Sequence, residues 1–389
     1  MIDMTCRKLI CLSAFIPYEN PVIFVPGSYY YKGKTISRKK VRRMKIHFQH
    51  TGICFFAKDN HKLPHYRAKK VSLSLQTKFI KQRPLSKRKR NKGHHVIWWV
   101  FAGLISLFVI TILIGVFHGR FNFKYKIVEI EYDGLPATLD GLTIAQISDL
   151  HLKSFIRHQD KLVQVFDSIN SYKPDIIVNT GDFVTCLWNE MEPFTGILGS
   201  LQARYGVYAI PGNHDTGLYS NAYNRENCDE HLDIIRKMLE HSYHTCLNDT
   251  SILISIDSLT VSLTGIVTYG MVPDLYYGDT EGALKGTDSA DFNILLTHDP
   301  NHWLREIQYK DDIELTLSGH THGMQIGIVL PGFQVSPASL LYPAWNGLYG
   351  GNNNFLYVNR GLGTIGVPAR IGMSPEITLI RIRAGAGGK

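Results

Sequence analysis

Acidic residues are almost missing from the first quarter of this chain. Residues 1–95 contain 3 Asp+Glu (Asp3, Glu19 and Asp59) against 23 Lys+Arg, a net of +20. Residues 96–389 contain 30 acidic against 19 basic residues, a net of −11. The whole-chain charge of +9 is therefore the sum of a basic arm and an acidic body. An acidic body argues against a groove that tracks nucleic-acid phosphates by charge, so no nucleic-acid partner is expected. Cysteine is scarce as well: Cys6, Cys11 and Cys54 lie in the arm, Cys186, Cys228 and Cys246 in the body, with no CxxC pair. An odd number in each part excludes a disulfide framework. No internal repeat is visible, and 44% hydrophobic with 19% charged residues excludes a coiled coil, a collagen-like rod or a fully disordered chain. A length of 389 residues allows one large domain with an appendage.

One run lacks charge altogether. Val96 to Phe117 reads VIWWVFAGLISLFVITILIGVF, which as a helix spans roughly 33 Å, enough for a hydrocarbon core. Trp98 and Trp99 stand at one end, where amphipathic rings favour the membrane interface. A long stretch of chain precedes the run and no small-residue cleavage site follows, so it reads as an uncleaved, single-pass anchor. Lys81, Arg83, Lys87, Arg88, Lys89, Arg90 and Lys92 precede it, against Arg120, Lys124 and Lys126 after it. The positive-inside bias places the acidic domain outside the cytoplasm, whereas three thiols in the body suit a reducing compartment better. The side of the membrane stays open. The basic run also suits anionic headgroups, at about 1 kcal/mol per residue. The expected plan is a poorly ordered arm over 1–95, a transmembrane helix over 96–117 and a catalytic domain over 127–383.

Beyond the anchor the pattern is that of an α/β domain. Short β-branched runs end in turn or polar residues: LTIAQISD (142–149), DIIVNTGD (175–182), GVYAIPGN (206–213), NILLTHD (293–299) and IELTLSGH (313–320). These read as buried strands. Between them, Gln159–Tyr172 places Leu162, Val163, Phe166 and Ile169 on one helical face, and Cys228–Tyr243 places Leu232, Ile235 and Leu239 similarly. A hairpin follows at 251–267, and FLYVNRGLG and EITLIRIR read as closing strands.

Metal-ligand residue types sit where the strands stop: Asp149 and His151 in SDLHL, Asp182 in TGDF, Asn213 and His214 in GNHD, His298 in THDP, and His320 and His322 in GHTH. In open sheets the strand carboxyl ends form the ligand crevice. Three Asp or Asn oxygens and four imidazoles are too many for one ion and suit two, which can clamp a phosphoryl group. Asp182 is the natural bridging carboxylate, and His320 and His322 suit delivery of one imidazole to each ion. Mixed nitrogen and oxygen donors favour manganese, with iron or zinc as alternatives, over magnesium or calcium. His94, His95, His158, His241, His244 and His302 fall outside this pattern and read as ordinary surface or helix residues.

The five blocks D-x-H, GD, GNHD, lone His and GHxH resemble the calcineurin-like metallophosphoesterase superfamily over about residues 142–383. The resemblance implies a sandwich of two mixed β-sheets flanked by helices, and a binuclear hydrolase of phosphoric esters or anhydrides working through a metal-bridging hydroxide. It implies one metal held by Asp149, His151, Asp182 and His322, and the other by Asp182, Asn213, His298 and His320. His214 is then the group that holds a phosphoryl oxygen or protonates the leaving group, oriented by Asp215. The anchor before SDLHL, with GHTHGMQ and YVNRGLGTIGVPARIG, resembles a membrane-tethered subgroup that includes UDP-2,3-diacylglucosamine pyrophosphatases of lipid A synthesis. That subgroup usually reads GHTHGGQ, so Met324 stands where a glycine is usual.

The resemblance implies a bacterial inner-membrane enzyme with the bilayer and a UDP-linked lipid as partners. A general phosphodiesterase of nucleotides and a catalytically inactive membrane scaffold are the rival readings. Residues 271–292 and 323–354 carry Tyr276, Tyr277, Phe333, Leu340, Leu341, Tyr342, Trp345, Leu348 and Tyr349, a candidate cap for acyl chains or a stacking surface for a base. Arg360 and Arg370 are candidate phosphate contacts or ordinary surface charge.

Residues 1–43 show no sustained period, and Met44 opens a second plausible start, MKIHFQH. The expectation is that translation begins there. N-terminal sequencing of the native protein should start at Met44, and recovery of peptides from residues 1–43 would overturn this.

Overall fold

The computed structural model describes residues 29–31, 34–36 and 92–385, with side chains from residue 97 onward. The chain divides into two compact units, Met1–Ser86 and Lys87–Lys389. Of the first, an antiparallel pair is described, β1 (Tyr29–Tyr31) with β2 (Lys34–Ile36). The expected disorder of the arm and the start at Met44 otherwise lie outside the described residues.

The uncharged run lies in one helix, Lys92–Phe117, and the span Ile97–Phe121, which continues into the next short turn, is long and apolar enough to cross a membrane. Its side chains point outward along most of its length, as an anchor requires. Its last turns meet the second unit's body, where the Arg370 N–H donates to the Gly115 carbonyl at 3.1 Å. Gly119 passes so close that a Cβ there would lie 2.0 Å from the Arg370 carbonyl oxygen, which requires glycine for steric reasons.

Two six-stranded mixed sheets form the body. The first contains β3 (Lys124–Tyr132), β4 (Thr143–Ile147), β5 (Ile176–Asn179), β6 (Val207–Ala209) and β7 (Thr245–Cys246). The second contains β8 (Thr250–Ile256), β9 (Leu259–Ile266), β12 (Phe292–Thr297), β13 (Leu315–Ser318), β16 (Gly347–Gly351) and β17 (Asn354–Val358). Two ribbons lie outside the sheets: β10 (Thr268–Tyr269) with β11 (Tyr276–Tyr277), and β14 (Ile328–Leu330) with β15 (Phe333–Val335). The last strand, β18 (Glu376–Ala384), returns to the first sheet between β3 and β4, parallel to one and antiparallel to the other.

Side-chain alternation along each strand builds the layers. Ile144, Ile176, Val178 and Ile380 from the first sheet meet Leu263, Ile294, Leu296 and Leu317 from the second in one inner core. The opposite faces are also apolar. Ala145, Ile147, Ile177 and Ala209 pack under the helices Gln159–Ser171 and Cys228–His241. Leu295, Leu356 and Val358 pack with Trp303 of the helix Asn301–Arg305. This is the expected sandwich flanked by helices.

One helical face differs from expectation. The helix Gln159–Ser171 buries Leu162, Val165, Phe166 and Ile169, whereas Val163 is exposed. A residue one position beyond Leu162 is turned by about 100° around the axis, and Val165 takes the inward place at i+3. His244 and His302 are buried rather than superficial. His302 receives its partners from Thr280 and Thr297, and Tyr277 stacks on it at 4.2 Å, which satisfies its polar atoms inside the body.

Candidate metal centre

Parallel strands from both sheets end toward one place. Asp149 and His151 follow β4, Asp182 follows β5, and Asn213 and His214 follow β6. His298 follows β12, and His320 and His322 follow β13. Hydrogen bonds stitch these turns together: Asp149 N–H to Gly181 O at 2.8 Å, His151 N–H to Asp182 O at 3.0 Å, and Gly319 N–H to His298 O at 3.0 Å. Glycine opens the GNHD and GHTH turns because nothing larger fits. A Cβ on Gly212 would lie 2.2 Å from Asp182 Oδ1, and one on Gly319 would lie 1.9 Å from Ser148 Oγ.

Asp149, His151, Asp182, His320 and His322 all have positive φ, between 38° and 71°. Each such residue costs roughly 1–2 kcal/mol in an ordinary chain. The surrounding turns must therefore over-determine these five conformations, and they aim the side chains inward. Met324, where a glycine is usual, also holds a left-handed backbone, at φ 46°. The GHTH turn thus keeps its conformation without that glycine.

The turns assemble two donor groups, Asp149–His151–His322 and Asp182–His298–His320. His322 Nε2 lies 3.1 Å from His151 Nε2 and 3.3 Å from Asp149 Oδ1. Asp182 Oδ2 lies 3.1 Å from His298 Nε2 and 3.6 Å from His151 Nε2, so one carboxylate reaches both groups. All these donors are buried apart from His320, which is partly buried.

The outer ring atoms show how the donors fit a pair of cations. His298 Nδ1 donates to the Thr180 carbonyl at 2.7 Å, which turns its Nε2 inward. His320 Nε2 pairs with Tyr342 Oη at 2.8 Å, leaving Nδ1 inward. His151 Nδ1 meets Thr185 Oγ1 at 3.4 Å. Asn213 Nδ2 donates to Tyr219 Oη at 2.7 Å, leaving its Oδ1 inward. Among the described residues, His298 Nε2, His320 Nδ1 and Asn213 Oδ1 are buried without a hydrogen-bond partner. His298 Nε2 is near Asp182 but lacks hydrogen-bond alignment. Buried polar atoms of this kind are costly unless a cation engages them, directly at Asn213 Oδ1 and His320 Nδ1 and by displacing the proton of His298 at Nε2.

Electrostatics agree. Burial pushes His151 down to about 3 and His320 to about 4, so both rings are neutral and able to ligate. Burial also opposes ionisation of Asp182, yet the rings of His298, His214 and His151 outweigh it and hold the carboxyl well below its usual range. His298 is the exception among the rings. Burial would lower it, but Asp182 and Asp149 raise it to about 10, so its proton supplies the positive charge these carboxylates demand.

His214 joins the group from its own turn. Its Nδ1 donates to the Thr185 carbonyl at 2.7 Å, and Tyr219 stacks on the ring at 3.8 Å with 15° between planes. Among the described residues, no hydrogen bond joins the Asp215 carboxylate to the His214 ring, so any effect on His214 runs through the turn. The Asp215 carboxylate instead accepts the N–H groups of Gly212, Val184 and Phe183 at 2.9, 3.0 and 3.2 Å, bracing the GNHD turn against the TGDF turn. Burial, with the Asp182 charge next, pushes its carboxyl up to about 7.

Neither arginine contacts the crevice as a free charge. Arg360 pairs with buried Glu376 at 2.6 Å. Arg370 is fully buried, and its guanidinium donates to the carbonyls of Arg360, Gly361, Gly363 and Met373 behind His322. Tyr342 both holds His320 and lines the cavity beside the centre. Tyr219 and Thr185 were not legible as site residues, because each lies in a turn without any spacing signal.

The centre opens into a cavity of about 600 Å³. Asp182, Asn213, His214, His320 and His322 form one wall, and Ile326, Leu341, Val367, Ile371 and Ile112 contribute an apolar one. Ile112 belongs to the apolar helix.

A model of the calcineurin-like phosphoesterase family matches residues 142–324. An uncharacterised metallophosphoesterase of Bacillus subtilis, YkuE, is 32% identical over 255 residues, covering 64% of this chain and 82% of the relative. The transmembrane protein with metallophosphoesterase domain of Danio rerio is 29% identical over 314 residues, covering 77% and 67%. A second Bacillus subtilis metallophosphoesterase, YkoQ, is 28% identical over 292 residues, covering 73% and 100%.

His320→Ala should lose bound metal and activity together, whereas His214→Ala should keep two metals per chain and lose activity. Elemental analysis beside a phosphodiester assay separates the two, and loss of metal from the second variant would contradict its role. Metal loading must also displace the His298 proton. Calorimetric titration of metal into apoprotein in buffers of different ionisation enthalpy should report about one proton released per chain near neutral pH. No release would mean that His298 is neutral before loading.

Proposed function

The chain belongs to the calcineurin-like phosphoesterases, metal-dependent hydrolases, and from that premise we propose that its substrate is a phosphoric ester or anhydride carried by a membrane lipid. The observation that carries this reading is the cavity. It is lined by donor residues together with apolar side chains, one of which, Ile112, belongs to the helix fit to cross a membrane. Its volume lies within the usual range for small-molecule sites, about 300–1,000 Å³. Each methylene buried there contributes about 0.8 kcal/mol, so an acyl chain is the ligand that gains most from such a wall. The Danio rerio relative is itself named a transmembrane protein.

Two divalent ions, when bound, supply Lewis-acid neutralisation of phosphoryl charge and acidify a water for attack. The mixed donors suit manganese, iron or zinc, with availability deciding among them. Asp149, His151, Asp182 and His322 would hold one ion, and Asp182, Asn213, His298 and His320 the other. The chain's own chemistry centres on His214. Thr185 holds its Nδ1–H and Tyr219 restrains the ring. Nε2 is then the atom that holds a phosphoryl oxygen or passes a proton to the departing oxygen. The apolar wall excludes water from that exchange.

Among lipid phosphates, UDP-2,3-diacylglucosamine matches these demands, with acyl chains for the wall and a pyrophosphate for the centre. Its hydrolysis would give UMP and the lipid monophosphate. An inactive scaffold is disfavoured because every expected donor is present and turned toward the others.

Detergent-solubilised full-length protein with Mn²⁺ is expected to hydrolyse UDP-2,3-diacylglucosamine, assayed beside a chromogenic phosphodiester. Turnover of the soluble diester alone would reject a lipid substrate and favour a nucleotide phosphodiesterase. No turnover of either, with metal bound, would favour the scaffold.

A further inference from the structure

Residues 323–359 contain no Asp, Glu, Lys, Arg or His. Within this stretch the ribbon of β14 and β15 carries Ile328, Val329, Leu330, Phe333 and Val335, each between 41% and 58% exposed, and Leu340 beyond it is 85% exposed. Every residue of both strands is exposed, so neither face of the ribbon packs on the body. Its one polar side chain, Gln334, is tied back to Asn346. An isolated two-stranded ribbon is at best marginally stable in water, and an exposed apolar one invites aggregation. A ribbon with this composition needs an apolar medium on its outer side.

Its position says which medium. The base of the ribbon is fixed where Ile326 bridges Ile371 and Gly372, and where Ser336 Oγ donates to the Gly323 carbonyl. Ile371 in turn follows Arg370, whose N–H donates to Gly115 in the last turns of the apolar helix. The ribbon is therefore continuous, through one short segment, with the surface that already requires hydrocarbon.

We propose that the ribbon and the segment to Leu341 insert into the bilayer beside the body-proximal end of the apolar helix, as a second membrane contact. The ribbon's outer backbone N–H and C=O groups are unpaired, and they would be costly in the hydrocarbon centre. The depth is accordingly interfacial, with the apolar side chains about 5–10 Å into the headgroup–acyl boundary, where water still reaches the backbone. Two contacts restrain the body's tilt, and the cavity, whose wall includes Ile326 and Leu341 at the ribbon's flanks, then faces the lipid surface.

The test uses full-length protein in phosphatidylcholine vesicles containing a diazirine on the acyl chain, with adducts mapped by peptide mass spectrometry. It reads membrane contact without turnover, so its failure is separate from failure of the substrate proposal. Adducts are expected along Ile97–Phe117 and also at the tip, Leu330–Val335, which lies outside the cavity lining. Adducts in the helix alone would overturn insertion. Adducts confined to the helix and to Ile326, Leu341 and Val367 would also overturn it, since they report lipid inside the cavity. Leu330→Asp with Phe333→Asp should cut tip labelling at least about threefold relative to the helix, because carboxylates at the tip disfavour its insertion even at interfacial depth. Unchanged tip labelling in that variant, folded by its melting temperature, would overturn the proposal as well.

Discussion

Asp182 is the charge on which the centre depends. Its Oδ2 stands between His298 and His151, its Oδ1 accepts the His214 N–H at 2.9 Å, and it is buried. A carboxylate removed from water must be neutralised or paired, and water cannot do it here. The surrounding rings do part of this, and the proton on His298 does most. A metal pair would supply the same positive charge in place of that proton, while also using the lone pairs that Asn213 and His320 leave unpartnered. The left-handed backbone at five donor positions belongs to the same logic. Strain at each turn persists because two sheets hold its flanks, and the strained turns are the ones that bring charge close to charge.

Around this centre, residues that touch no phosphate set the donors' orientation. Thr180, Thr185 and Tyr342 occupy the outer atoms of His298, His214 and His320, so each ring's inward atom is decided before any ligand arrives. Asp215 and Arg370 brace turns rather than contact substrate. Arg370 also links the centre to the membrane segment, since its guanidinium lies 3.2 Å from His322 Nδ1 while its backbone joins Gly115. The same short stretch of chain thus supports a donor ring on one side and an anchor on the other.

Much of this was legible in the sequence. The strands β4, β5, β6 and β13 fall inside the apolar runs read from pattern, and β12 starts one residue ahead of its run at Phe292, because a strand buried on both faces is largely apolar. The donors were legible because a metal needs particular atoms, and those residue types recur where the strands stop. Val163 was misplaced because apolar spacing alone does not say which of two valines, Val163 or Val165, faces inward. The buried positions of His244, His302, Arg360 and Arg370 were not legible, since burial of a polar group depends on partners supplied from distant segments.

The sequence by itself determined that the chain carries an anchor, an α/β body and a set of donor residues at strand ends. Those follow from residue chemistry and from local periods of two and 3.6. Only the tertiary structure decided which donors meet, which threonine or tyrosine fixes each ring, and that an apolar ribbon stands beside the anchor. Asp149 and His320 are 171 residues apart, yet the carboxylate of one accepts the backbone N–H of the other. Such contacts arise from sheet pairing and from the packing of one sheet on the other, and no local pattern encodes them.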